Sequence, residues 1–135
     1  MKLKNKELTG IYNALRSIKT YTSKMNRKKF KLMSCLKAKI DELTEDQKRI
    51  LESYSAKDED GKAITKDGKY DIKDTDGVQK DINELADEVV TIDFGEHTDA
   101  VQEFMSYMDD YEGELDGPTG EGIFILQEAY ESEDK

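Results

Sequence analysis

Cys35 and His97 are the single cysteine and the single histidine of this 135-residue chain. A lone histidine offers no His-His pair to a metal, and a zinc site would have to recruit Cys35 with carboxylates from remote segments. A Cys-His nucleophilic pair needs a cleft and an orienting group. Cys35 instead falls within a helical pattern beside Leu36, where a thiol is ordinarily buried and inert. The aspartates before Gly61 and Gly77 do not make calcium loops. Counting back from each glycine, the first ligand position is Ala56 or Ile72, and the twelfth is Asp67 or Asn83 where Glu is required. The run Gly117-Pro118-Thr119-Gly120-Glu121-Gly122 lacks the Gly-Lys-Ser/Thr ending of a phosphate loop and sits among carboxylates, so it reads as a plain loop. Asp109 and Asp110 are paired carboxylates, but in so acidic a segment they carry no catalytic specificity. These residues predict a protein that is not an enzyme, with no catalytic residue, no metal and no cofactor.

What remains is charge. The chain has a formal net charge of −10. Met1 to Lys57 holds 15 Lys/Arg against 6 Asp/Glu, while Asp58 to Lys135 holds 6 against 25. From Glu84 to Asp134 there are 17 carboxylates and no Lys or Arg. One reading is a plain solvated face, partly neutralised by the basic half. The sharper reading is a surface that imitates nucleic acid: carboxylates three or four apart on a helix lie about 5 to 6 Å from each other at Cβ, comparable to phosphate spacing along a strand. A basic groove would accept such a face.

The acidic stretch interleaves Phe104, Tyr107, Met108 and Tyr111 with its carboxylates, pairing interface anchors with steering charge. The predicted partner-binding residues are Asp99, Glu103, Tyr107, Asp109, Asp110, Tyr111, Glu112, Glu114 and Asp116. The partner they imply is a host protein with a basic surface, such as a nuclease or a CRISPR effector. Arg27, Lys28, Lys29, Lys31, Lys37 and Lys39 near Phe30 would contact phosphates, but the overall negative charge opposes the approach of nucleic acid.

The elements that must position these residues follow from periodicity. Leu8, Ile11, Tyr12, Leu15 and Ile18 recur at helical spacing and predict a helix from Asn5, acting as its cap, to Thr20. From about Arg27, the positions Met33, Leu36, Ile40, Leu43, Gln47, Ile50 and Tyr54 form a narrow seam. Two such helices predict an antiparallel hairpin with a core of Leu8, Ile11, Leu15, Leu36, Leu43 and Ile50. Asp60-Gly61, Asp67-Gly68 and Asp76-Gly77 mark turns. A three-residue loop, Lys66-Asp67-Gly68, would set Ile64 opposite Tyr70 in a hairpin with Gly68 left-handed. Val78, Ile82, Leu85 and Val89 predict a helix, and Val90, Ile92 and Phe94 predict a strand. A further helix spans about Thr98 to Tyr111 and carries Val101, Phe104, Met105 and Met108 on its apolar face, Glu112 to Gly122 is a loop, and Ile123 to Tyr130 is helix or strand.

The whole predicts an α+β, predominantly helical fold: an antiparallel helical hairpin, then a small β-hairpin or sheet, then two further helices. It is organised as one domain, with a basic hairpin over 1–57, an acidic α/β portion over 58–131 and a tail over 132–135. No signal-like apolar run opens the chain, and no stretch approaches the length a membrane helix requires. A soluble protein of the host cytoplasm, without membrane partners, is expected.

Lys2-Leu3-Lys4-Asn5-Lys6-Glu7-Leu8, Ile50-Leu51-Glu52-Ser53-Tyr54, Lys57 to Lys62, Gly68-Lys69-Tyr70-Asp71-Ile72 and Asn83 to Ile92 resemble an uncharacterised family of small proteins from tailed phages and prophages of Gram-positive bacteria. The likeness covers about Met1 to Phe94, with the longer, more acidic segment from Gly95 departing from it. The resemblance implies a phage accessory protein and supplies no catalytic residues. The expected function is stoichiometric inhibition of a host nucleic-acid-handling defence enzyme, anti-CRISPR-like or a nuclease inhibitor, through the acidic surface. The alternative is a virion structural or tail-assembly role.

Overall fold

The computed structural model describes residues 1–133, with the backbone alone at Glu133. The chain forms β1 (Lys2–Lys4), α1 (Leu8–Ser17), α2 (Ser23–Tyr54), β2 (Thr65–Lys66), β3 (Lys69–Tyr70), α3 (Thr75–Asp87), β4 (Val89–Thr91), α4 (Thr98–Asp109) and α5 (Gly117–Glu133), with 3-10 turns at Asn5–Glu7 and Gly95–His97. It is a predominantly helical α+β fold. No helix among the described residues is long and apolar enough to cross a membrane.

Asn5 does not cap α1. It is buried, and its Nδ2 donates to Leu85 O at 2.9 Å while its backbone N–H donates to Glu88 O, so it ties the N-terminus to the end of α3. The chain enters α1 through the 3-10 turn Asn5–Glu7, which the Glu7 side chain caps, its Oε1 accepting from Lys4 N–H at 2.8 Å. Leu8, Ile11, Leu15 and Ile18 are buried as their spacing requires, but α1 ends at Ser17 and not at Thr20. There Lys29 reaches back from α2, its Nζ donating to Ile18 O at 2.9 Å. Burial lowers the affinity of this ammonium for its proton.

Helix α2 runs without a Gly or Pro for 32 residues, about 48 Å at 1.5 Å per residue. Thr22 caps it by accepting from Met25 N–H. Leu32, Met33 and Leu36 enter the core, while Leu43 and Ile50, expected there, are only half-buried because the distal half of α2 outruns the body that α1, α4 and α5 form. That half carries intrahelical pairs such as Lys39–Glu42 and Asp46–Arg49.

The β2–β3 hairpin has a two-residue turn. Thr65 pairs with Tyr70 and Lys66 with Lys69, and Asp67 and Gly68 take φ of 52° and 78°. Ile64 therefore lies opposite Asp71, contrary to the three-residue loop expected from apolar pairing. Both strands stay near solvent, so turn chemistry sets the register and burial does not. Asp76-Gly77, by contrast, is not a turn. It lies in the first turn of α3, where the Asp74 carboxylate accepts from Gly77 N–H.

β4 pairs antiparallel with β1, joining the chain's start to its middle. Helix α5 begins at Gly117, so the run Gly117 to Gly122 is helical where a loop was expected, and Ile123 to Tyr130 is helix. Small residues there admit α1: a Cβ on Gly122 would lie 2.6 Å from Ala14 Cβ and 3.0 Å from Gly10 O. Helix α5 also continues through Ser132 into Glu133, within the expected tail, and Asp134 and Lys135 lie outside the described residues.

Candidate functional site

The amphipathic pattern of α4 places its charges. Val101, Phe104, Met105 and Met108 point into the core, which leaves Asp99 and Glu103 on the outer face, Asp109 at its edge and Asp110 exposed just past the helix end. Glu112, Glu114 and Asp116 are exposed in the connection to α5. On α5 the inner face holds Ile123 and Leu126, and Glu121, Phe124, Glu128 and Glu131 line the outer face. The two acidic faces adjoin, for Asp109 of α4 and Glu131 of α5 line one groove of about 190 Å³ together with Gln102, Ser106 and Gln127.

Among the described residues of the acidic half, Lys or Arg pairs with two carboxylates. Lys6 holds Asp87 at 2.8 Å, and Lys28, with 13% of its side chain exposed, holds Glu103, with 56% exposed. Asp87 is kept below the usual carboxylate range by the Lys6 hydrogen bond and charge. Asp99, Asp109, Asp110, Glu112, Glu114 and Asp116 have no cationic partner among the described residues. The basic residues Lys24, Arg27 and Lys31 lie on the first turns of α2 at spacings of three and four, so opposite charges occupy separate elements.

Two of the expected apolar anchors belong to the core instead: Phe104 and Met108 are buried because they fall on the inner stripe of α4. Tyr107 is half-buried, its ring 6.2 Å from Phe104 and 5.9 Å edge-on from Tyr111. Its hydroxyl is buried without a hydrogen-bond partner among the described residues. The Tyr111 hydroxyl donates to Lys19 O at 3.2 Å, and burial raises the pKa of this phenol. Both tyrosines thus brace α4 against the body, and neither offers its hydroxyl to a partner. Replacing Tyr107 by Phe is expected to stabilise the fold by up to about 1 kcal/mol, since an unpaired buried hydroxyl costs about that or more. A denaturation midpoint that falls would contradict the placement of this hydroxyl.

The fold brings Cys35 and His97 into one shallow depression, lined also by Asp93, Phe94 and Glu96. Burial, helped by the Asp93 charge, pushes the Cys35 thiol up, which is opposite to what a nucleophile needs at neutral pH. No three His, Cys, Asp or Glu among the described residues gather as a metal site would require.

Sequence reasoning missed Glu121, Glu128 and Glu131. Their spacing of seven and three residues is helical, but the three glycines and the proline between Gly117 and Gly122 concealed the helix. A protein-family model matches residues 1–135, so the acidic segment after Phe94 belongs to the family pattern and does not depart from it. No curated protein and no solved structure matches the chain.

Proposed function

The chain belongs to the DUF1617 family, a protein of unknown function, and from that premise we propose that it acts by stoichiometric binding of a protein with a basic surface. The observation that carries this reading is the outer face of α4 and the α4–α5 connection, where six carboxylates, Asp99, Asp109, Asp110, Glu112, Glu114 and Asp116, lack a cationic partner among the described residues. Such a face raises the encounter rate with a positive groove and discriminates against acidic partners. The resemblance to phage and prophage proteins supports an accessory role in infection, with a host nucleic-acid-handling defence enzyme as the target. Its groove is built for phosphates, and carboxylates on a helix present charge at similar spacing.

Affinity capture from phage-infected host cells followed by mass spectrometry identifies the target. Binding to it is then expected to weaken at least tenfold between about 50 and 500 mM salt, chiefly through the association rate. Asp109→Asn, Asp110→Asn, Glu112→Gln and Glu114→Gln combined should abolish inhibition while leaving the melting temperature nearly unchanged, because all four are exposed. Full inhibition by the quadruple variant removes the reading.

A virion-assembly role is the second reading. It draws on the distal half of α2, where Ile40, Leu43, Ile50 and Leu51 are only half-covered and would suit a helical partner. Association of that kind is apolar and insensitive to salt.

A further inference from the structure

A groove of about 540 Å³ lies between β1 and α5. Its lining includes Lys2, Leu3, Glu7, Phe124, Ile125 and Glu128 and no residue of β4, which puts it on the edge of β1 that faces away from β4. Among the described residues that edge has no strand beside it, since the sheet consists of β1 and β4. Backbone direction confirms the placement. Ile92 N–H donates to Met1 O and Asn5 N–H donates to Glu88 O, so the odd-numbered residues turn their amides toward β4. In an antiparallel ladder the alternate residues, Lys2 and Lys4, must then direct theirs outward. Lys4 N–H does so, being held by the Glu7 carboxylate on the groove side. Lys2 N–H and Lys2 C=O remain as an open template for a strand, the Lys4 C=O being taken by the Asn5–Glu7 turn that Lys4 caps.

The opposite wall explains what such a strand would carry. Phe124 is 61% exposed in the middle of α5. Glu121, Glu128 and Glu131 share its outer stripe, and α5 contains no Lys or Arg. We propose that this groove binds an extended segment of a partner protein by strand addition to β1. Alternate side chains of that segment face α5, an apolar one over Phe124 and Ile125 and a Lys or Arg two residues away opposite Glu128. Main-chain pairing supplies affinity and the wall supplies specificity, as in other strand-adding recognition modes. The surface is separate from the α4 face and stands or falls independently of the inhibitory role.

The test uses the full chain and a displayed library of random dodecapeptides. Selection should enrich peptides with an apolar residue and a Lys or Arg two positions apart. Their synthetic versions should bind Phe124→Ser at least about tenfold more weakly and Glu128→Gln about threefold more weakly. N-methylation of alternate peptide amides should abolish binding in one phase of the alternation and spare it in the other, the signature of one paired strand edge. Asp109→Asn with Asp110→Asn should leave binding within about twofold, which separates this groove from the acidic α4 face. The absence of enrichment, equal binding to Phe124→Ser, or indifference to both phases of N-methylation would each overturn the proposal. So would concentration-dependent dimerisation that Phe124→Ser removes, since the occupant would then be a second copy of this chain.

Discussion

Phe104→Ala is expected to lower the stability of the fold by about 3 to 5 kcal/mol, the cost of removing a fully buried phenyl ring and leaving a cavity that its surroundings only partly refill. Phe104 has no exposed surface and lies on the inner stripe of α4 with Val101, Met105 and Met108. Its ring also supports Tyr107, which in turn meets Tyr111 at the end of the helix. A domain of this size has about 5 to 15 kcal/mol in total, so the variant will be partly unfolded at physiological temperature. Urea denaturation followed by far-ultraviolet circular dichroism measures the effect as a fall in midpoint at constant slope. The acidic surface should lose binding only in proportion to the unfolded fraction. Phe124→Ala provides the control, for an exposed ring on α5 should change stability by less than about 0.5 kcal/mol. A loss below about 1 kcal/mol at Phe104 would show that α4 is not seated on the body as described.

Gly122→Val is expected to cost roughly 3 kcal/mol by overpacking. The first added carbon already lies 2.6 Å from Ala14 Cβ and 3.0 Å from a backbone oxygen of α1, so helix must move against helix. Gly10, on the other side of the same crossing, behaves differently. A Cβ built there meets nothing within 4 Å, and the residue is exposed within α1. Gly10→Ala should therefore stabilise the protein by about 0.5 to 1 kcal/mol through reduced backbone entropy in the unfolded chain. Thermal melts of the two variants should move in opposite directions. Ala14→Gly should recover part of the loss caused by Gly122→Ala, and a double-mutant cycle measures that coupling. If Gly122→Val melts with the wild type, α1 and α5 do not cross at this point.

Local periodicity carried much of the fold. The stripes Leu8, Ile11, Leu15 and Val101, Phe104, Met105, Met108 are long enough and regular enough that only a helix buries them, and each is buried in α1 and α4. The acidic character of the candidate surface was equally legible, since no cation follows Lys80 until Lys135. The misreadings share a cause. Phe104 and Met108 look the same in sequence whether an aromatic or a methionine faces a partner or the core, and the phase of the helix against α2 decides between them. Glycine-rich Gly117 to Gly122 has poor intrinsic helix propensity, and it is helical because tertiary contact with α1 rewards small residues there.

The sequence alone determined which segments are amphipathic, which are acidic and that the chain turns at Asp60-Gly61 and Asp67-Gly68, because these depend on side chains within one or two turns of each other. Tertiary structure decided the rest: that Asn5 reaches Leu85, that β1 pairs with β4 and leaves one edge open, and that Asp109 and Glu131 share a groove. Each of these joins residues more than twenty positions apart. Local propensity cannot specify such pairs, because the entropy of closing so long a loop is met only by burial distributed over the whole core.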